Sequence, residues 1–221
     1  MKIQIGIGIK QEFEYYIKDN SIYEFYAGLS FLPSHLYGGK NFESYDDIIK
    51  IIDLAHKKNK KFYLALNEVI SFDLNKLIKE LVELDRKVDI DGFIVRDVAL
   101  IKRLKNTRFS SKKELILSTL ALCFNTQSLN FYQRLGITRI CLPEHITVLD
   151  AKNLIKNRLN IDVEMFVTAL EFCLVLNNFC YLYSSKNKCI CREGFKKKDL
   201  SPYPLPRFTL EEHFSNLYDF F

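Results

Sequence analysis

Four cysteines, Cys173, Cys180, Cys189 and Cys191, fall within 19 residues near the end of this 221-residue sequence. Thiolates are soft ligands, and such density in a reducing compartment favours zinc or an iron–sulfur cluster over disulfides. Six residues separate Cys173 from Cys180, and one separates Cys189 from Cys191. A zinc ribbon uses paired C-x2-C knuckles, which this spacing lacks. An irregular set of four suits a [4Fe–4S] cluster, whose ligands can come from loops; zinc stays the alternative. The remaining two, Cys123 and Cys141, lie in or beside apolar runs and read as small packed hydrophobes.

A second set of residues could move protons or hold a substrate. Asn67, Asp97, Ser118, Thr119 and Glu144 each stand at or just past the end of a strand-like run, where barrel enzymes place chemistry. Asp97 and Glu144 are the candidate proton donors or acceptors. Asn67, Ser118 and Thr119 are candidates for substrate binding, as is His35 in the loop after the second strand. The plainer role for each polar residue is capping a helix or bonding a loop amide, and for His35 a solvated surface. His56, His145 and His213 read as surface residues. Of two lysine runs, Lys57–Lys61 reads as wet surface. Lys196–Lys198, beside the cysteines, could steer an anionic substrate or RNA.

These residues need elements to position them, and the sequence alternates short apolar runs with helical patterns. Strands are predicted at Ile3–Ile9, Ile22–Tyr26, Lys61–Leu66, Gly92–Val95, Glu114–Thr119, Arg139–Leu142 and Val163–Val167. Most lack period-two alternation, as expected of strands covered on both faces. Helices are predicted at Tyr45–Lys57, Leu74–Leu84, Val98–Leu104, Ser128–Leu135 and Val148–Leu159. Capping boxes are expected at Ser44 with Asp47 and at Thr147 with Asp150. Repeated β–α units imply a parallel sheet with right-handed crossovers. A dinucleotide fold would carry a glycine-rich first turn, but Gln11 replaces the third glycine after Gly6-Ile7-Gly8. The expectation is an α/β protein, a TIM-type (β/α) barrel left incomplete at about seven strands.

The barrel is expected over residues 1–170, with 171–221 forming a cysteine-rich segment and a tail helix packed on it. Pro202, Pro204 and Pro206 exclude a central strand there. Thr209 with Glu212 would cap the tail helix, whose apolar stripe runs through Leu210, Phe214, Leu217, Tyr218 and Phe221. An unclosed sheet leaves a seam, to be covered by this tail or by a homo- or hetero-oligomeric partner chain.

Composition sets the outer bounds. Hydrophobic residues make up 48% and charged residues 27%, as in globular proteins, with a net charge of +5. That charge permits an anionic partner without requiring one. No apolar run reaches membrane-spanning length, and the first residues lack a secretory leader. A cytoplasmic location is expected.

From about Tyr23 to Cys191 the sequence resembles the U32 peptidase family. The resemblance rests on Phe25-Tyr26-Ala27-Gly28, Gly39-Lys40-Asn41-Phe42, Leu64-Ala65-Leu66-Asn67 and Phe93-Ile94-Val95-Arg96-Asp97. It continues through Ser118-Thr119 with Asn125-Thr126, then Leu135-Gly136-Ile137-Thr138-Arg139 up to Glu144. It ends with Glu164-Met165-Phe166-Val167 running into Cys173 and Cys180. The resemblance adds Asn125 to the substrate-binding candidates. It implies a barrel with a cysteine-bound [4Fe–4S] cluster. Its outputs would be oxygen-independent hydroxylation of a small aromatic quinone precursor or an RNA base, or proteolysis. Thr168-Ala169 stands where many members have His-Gly. In this the chain is similar to the smaller subunit of the pair acting in oxygen-independent ubiquinone hydroxylation. No His-Glu-x-x-His or Gly-x-Ser-x-Gly motif supports proteolysis. A non-catalytic accessory subunit with a structural metal site is the third class.

Overall fold

The computed structural model describes residues 2–34, 41–68, 73–107, 109, 112–143, 146–156 and 160–166, with the backbone of 195–196 and 202–203. Seven strands form one sheet: β1 (Ile3–Gly6), β2 (Ile22–Ala27), β3 (Lys61–Leu66), β4 (Gly92–Val95), β5 (Glu114–Leu117), β6 (Arg139–Cys141) and β7 (Asp162–Glu164). Every neighbouring pair is parallel, and strand order follows sequence order. A doubly wound sheet would reverse its order at a switch point; this one never does. It curls into a half-barrel with helices between the strands. Among the described residues, β1 pairs only with β2 and β7 only with β6.

The helices are α1 (Lys10–Tyr16), α2 (Tyr45–Lys57), α3 (Leu74–Val88), α4 (Val98–Lys105), α5 (Thr126–Arg134) and α6 (Val148–Lys156). Their buried stripes, such as Ile48, Ile51, Ile52 and Ala55 on α2, pack on the outer face of the sheet. Phe25, Ala27, Phe62, Leu64, Leu66, Phe93, Val95, Leu115 and Leu117 supply that face. Alternate strand residues point the other way. There Tyr63, Ile94 and Ile116 form a second cluster with Tyr26 against it. Strands β2–β5 are thus covered on both sides, which explains their weak alternation.

Several expectations change in detail. The first strand stops at Gly6 because α1 begins at Lys10, where Glu12 accepts from the amides of Gly8 (2.7 Å) and Ile9 (3.3 Å). The fifth strand ends at Leu117, and residues Thr119–Ala121 wind into one 3₁₀ turn. The seventh spans Asp162–Glu164 rather than Val163–Val167. Helix α3 continues to Val88 and ends at Asp89 in the left-handed region, φ 48°. Ser44 caps α2 by accepting from Asp46 N, so its partner is that amide rather than a reciprocal bond from Asp47. Phe195–Lys196 (β8) and Pro202–Tyr203 (β9) pair antiparallel in a separate two-stranded sheet.

Candidate functional site

Parallel strands bring the residues after β3, β4 and β5 to one rim, at neighbouring strand positions about 4.8 Å apart. Asn67, Asp97, Ser118 and Thr119 lie along that rim. Asn67 and Ser118 are buried. Ser118 Oγ accepts from Leu120 N at 3.2 Å, holding the 3₁₀ turn. Thr119 Oγ1 donates to Leu142 O at 3.0 Å, tying the end of β5 to that of β6. Asp97 caps α4 by accepting from Leu100 N at 2.8 Å, and Asn125 caps α5 through Ser128 N at 2.9 Å. Asp97→Ala should therefore lower stability by about 1 kcal/mol, measurable as a shifted denaturant midpoint with an unchanged slope. A larger loss would mean that Asp97 carries more than a cap.

The loop after β2 is clamped onto the same rim. Phe42 N donates to Gly28 O (3.0 Å) and Ser30 N to Phe42 O (2.9 Å). Ser34 Oγ donates to Ala65 O at 2.5 Å, while Asn41 Nδ2 donates to Ser34 O at 3.0 Å. A β-carbon on Gly28 would stand 2.4 Å from Asn41 Oδ1 and 2.6 Å from Ser34 Cβ. Only glycine fits this approach. Gly28→Ala is expected to cost about 1–3 kcal/mol by overpacking, read from chemical denaturation; a neutral result would show that the loop yields freely. Arg96 follows β4 at the rim; burial lowers its pKa, opposed by the charges of Glu68 and Asp97.

Deeper in the half-barrel lies a group that the sequence reading missed. Arg139, on β6, donates to Glu24 on β2 through Nη1 (2.5 Å) and Nη2 (3.2 Å). Its Nη2 also reaches Glu114 (2.6 Å) and the Tyr63 hydroxyl (3.1 Å), and its Nη1 reaches Glu164 (3.3 Å). The Tyr63 hydroxyl donates to Glu114, and Gln4 Nε2 donates to Glu24 at 3.3 Å. One guanidinium thus bonds side chains from β2, β3, β5 and β7, and Gln4 on β1 joins through Glu24. Burial would lower the Arg139 pKa, but the Glu24 hydrogen bond and surrounding negative charge raise it overall. Burial holds the Tyr63 phenol up, helped by Glu114 and Glu24, so it stays neutral. A sequence signal existed: Glu24, Glu114, Arg139 and Glu164 are charges inside or at the ends of apolar runs.

Metal-binding candidates divide sharply. Cys123 and Cys141 are buried thiols in no disulfide, and burial pushes the Cys123 thiol up to about 11, unsuited to a ligand at neutral pH. Among the described residues, no group of three or more His, Cys, Asp or Glu side chains could hold a metal ion. Cys173, Cys180, Cys189 and Cys191, together with His35 and Glu144, lie outside the described residues. As a donor set, four thiols fit soft metals and iron–sulfur clusters.

The class defined so far is an open (β/α) half-barrel with a polar rim and a charged lumen. The chain belongs to peptidase family U32, whose model matches residues 16–195. It is 27% identical over 165 residues to an uncharacterized protease of Methanocaldococcus jannaschii, covering 72% of this chain and 38% of that protein. It is 26% identical over 191 residues to tRNA hydroxylation protein P of Helicobacter pylori strain 26695, covering 86% and 43%. The protein of the same name from Haemophilus influenzae is 27% identical over 139 residues, covering 62% and 29%. The chain therefore spans less than half the length of these relatives. A solved U32 peptidase superposes with a TM-score of 0.61 at 12% identity, covering 74% of this chain and 67% of that one; this supports the fold. No helix among the described residues is long and apolar enough to cross a membrane.

Proposed function

We propose that this chain is an iron–sulfur component of an oxygen-independent hydroxylation system acting on a tRNA base, with a [4Fe–4S] cluster on Cys173, Cys180, Cys189 and Cys191. The observation that carries this is the reach of the family match: residues 16–195 take in all four cysteines. Relatives named for tRNA hydroxylation align across up to 86% of the chain. When bound, the cluster would supply electrons or activate the oxygen donor. The protein's part would be to hold the base at the rim formed by Asn67, Ser118 and the clamped loop after β2. Asp97 is already engaged at α4, so Glu144, outside the described residues, is the carboxylate assigned to proton transfer. Lys196–Lys198 would draw in the phosphate backbone. The two strand edges, β1 and β7, suit a partner chain or a further segment that completes the barrel.

The test is nucleoside mass analysis of tRNA from cells lacking this chain. A hydroxylated nucleoside should disappear, returning with the wild-type gene and not with Cys180→Ala. Unchanged nucleosides would overturn the reading. The peptidase reading rests on the names of the family and of the Methanocaldococcus jannaschii relative. It predicts cleavage of unfolded polypeptide that survives Cys180→Ala.

A further inference from the structure

The charge balance in the lumen does not close. Three carboxylates, Glu24, Glu114 and Glu164, surround Arg139, the one cation among the described residues bonded to them. All four sit in a half-barrel interior walled by Tyr26, Tyr63, Ile94 and Ile116. Barrel interiors are usually filled with branched apolar side chains, and buried ions cost several kcal/mol each in desolvation unless paired. One guanidinium pairs one carboxylate well, and two at most. Carboxylates crowded beyond that take up protons, as like charges in one site cannot all ionise.

The geometry ranks them. Glu24 holds both terminal nitrogens of Arg139, and its side chain is 3% exposed. Glu114 takes a 2.6 Å bond from Nη2 and the Tyr63 hydroxyl proton. Glu164 has the weakest hold on the guanidinium, one 3.3 Å contact, beside a hydrogen bond with Cys141. It closes β7 opposite Cys141, with its side chain about one-fifth exposed, 21%. Nine positions further on comes Cys173, the first of the four cysteines.

We infer that Glu164 carries a proton at neutral pH and serves the proposed site as its internal acid, positioned by Arg139. This rests on the hydroxylation reading for its role, though not for its protonation. The proton would leave the Glu164 carboxyl for a basic atom of the substrate. The carboxylate left behind would tighten onto Arg139 Nη1, and water at its exposed fifth would return the proton. The groups acting on it are Arg139 and Cys141 on β6 and Glu24 on β2; Tyr63 on β3 and Glu114 on β5 join through Arg139, and Gln4 on β1 through Glu24. Burial raises its pKa and Glu24 adds to this, against the pull of Arg139 and a Cys141 hydrogen bond.

Infrared spectroscopy of the whole protein reads protonation without any activity. At neutral pH the wild type should show the carbonyl stretch of a buried carboxylic acid, lost in Glu164→Gln and titrating away in alkali. The stability difference between wild type and Glu164→Gln should also depend on pH. A raised folded-state pKa gives stability that is present below the unfolded value and lost as pH rises through the folded one. No acid band, or a band untouched by E164Q, overturns the inference. If E164Q does not fold, Glu164→Asp must shift the band, and an unmoved band overturns the assignment equally. In cells, E164Q with normal iron content should cut tRNA hydroxylation by about 100-fold or more. An acid band with undiminished hydroxylation would leave a structural proton and remove the catalytic role. Loss of the band alone leaves the proposed function intact, so the two fail separately.

Discussion

Cys180→Ala is expected to bleach a brown protein. Isolated without oxygen, the wild type should carry about four irons per chain with matching sulfide. A [4Fe–4S] cluster bound by four thiolates loses one ligand in the variant, and iron left with an open position is lost more readily. The half-barrel is held by cores on both faces of its sheet, remote in sequence from Cys180, so its melting should change far less than its iron content. Metal analysis with visible absorption decides the matter. One tightly held zinc and no sulfide would remove the cluster and the hydroxylation chemistry with it. Equal iron in wild type and variant would show that Cys180 is not a ligand.

How much of this was legible beforehand depended on which face of each element carried the signal. The strands and most helices announced themselves through apolar runs broken at 3.6-residue spacing, and the order of β1–β7 followed from short β–α connections. Helix α1 was missed because Phe13 is its single buried residue and Ile9 offers no capping side chain. The rim polar residues were picked by position, and the capping role expected as the plainer one is what Asp97 performs on α4, as Asn125 does on α5. The lumen network was invisible for a different reason. Glu24 and Arg139 are 115 residues apart, and only the curling of the five strands β2–β6 around one axis brings them together. Period-two reading would have exposed it, since Glu24 shares its face with Tyr26, and Glu114 with Ile116.

Arg139→Met should be the most damaging single change within the described half-barrel. It leaves Glu24 with Gln4 as its remaining bonded partner in the lumen, and Glu114 with the Tyr63 hydroxyl. Breaking a buried pair by removing one member costs about 3–5 kcal/mol, because the survivor stays charged and desolvated. For a chain of this size that lowers the melting temperature by on the order of 10 °C. The loss must also depend on pH, with a definite sign. Without the guanidinium, Glu164 loses the pull that opposes its raised pKa, so that pKa rises further. The variant's stability is then greatest at low pH and declines as pH climbs through the folded-state value. Its deficit against wild type should shrink in mild acid and widen in mild alkali. Adding Glu24→Gln to Arg139→Met should recover part of the loss, because the pair is coupled across a shared network. A pH-independent deficit, or additive costs in that cycle, would show that the lumen is wet enough to solvate its charges. The carboxylates would then need no proton, and Arg139 would matter for its packing alone.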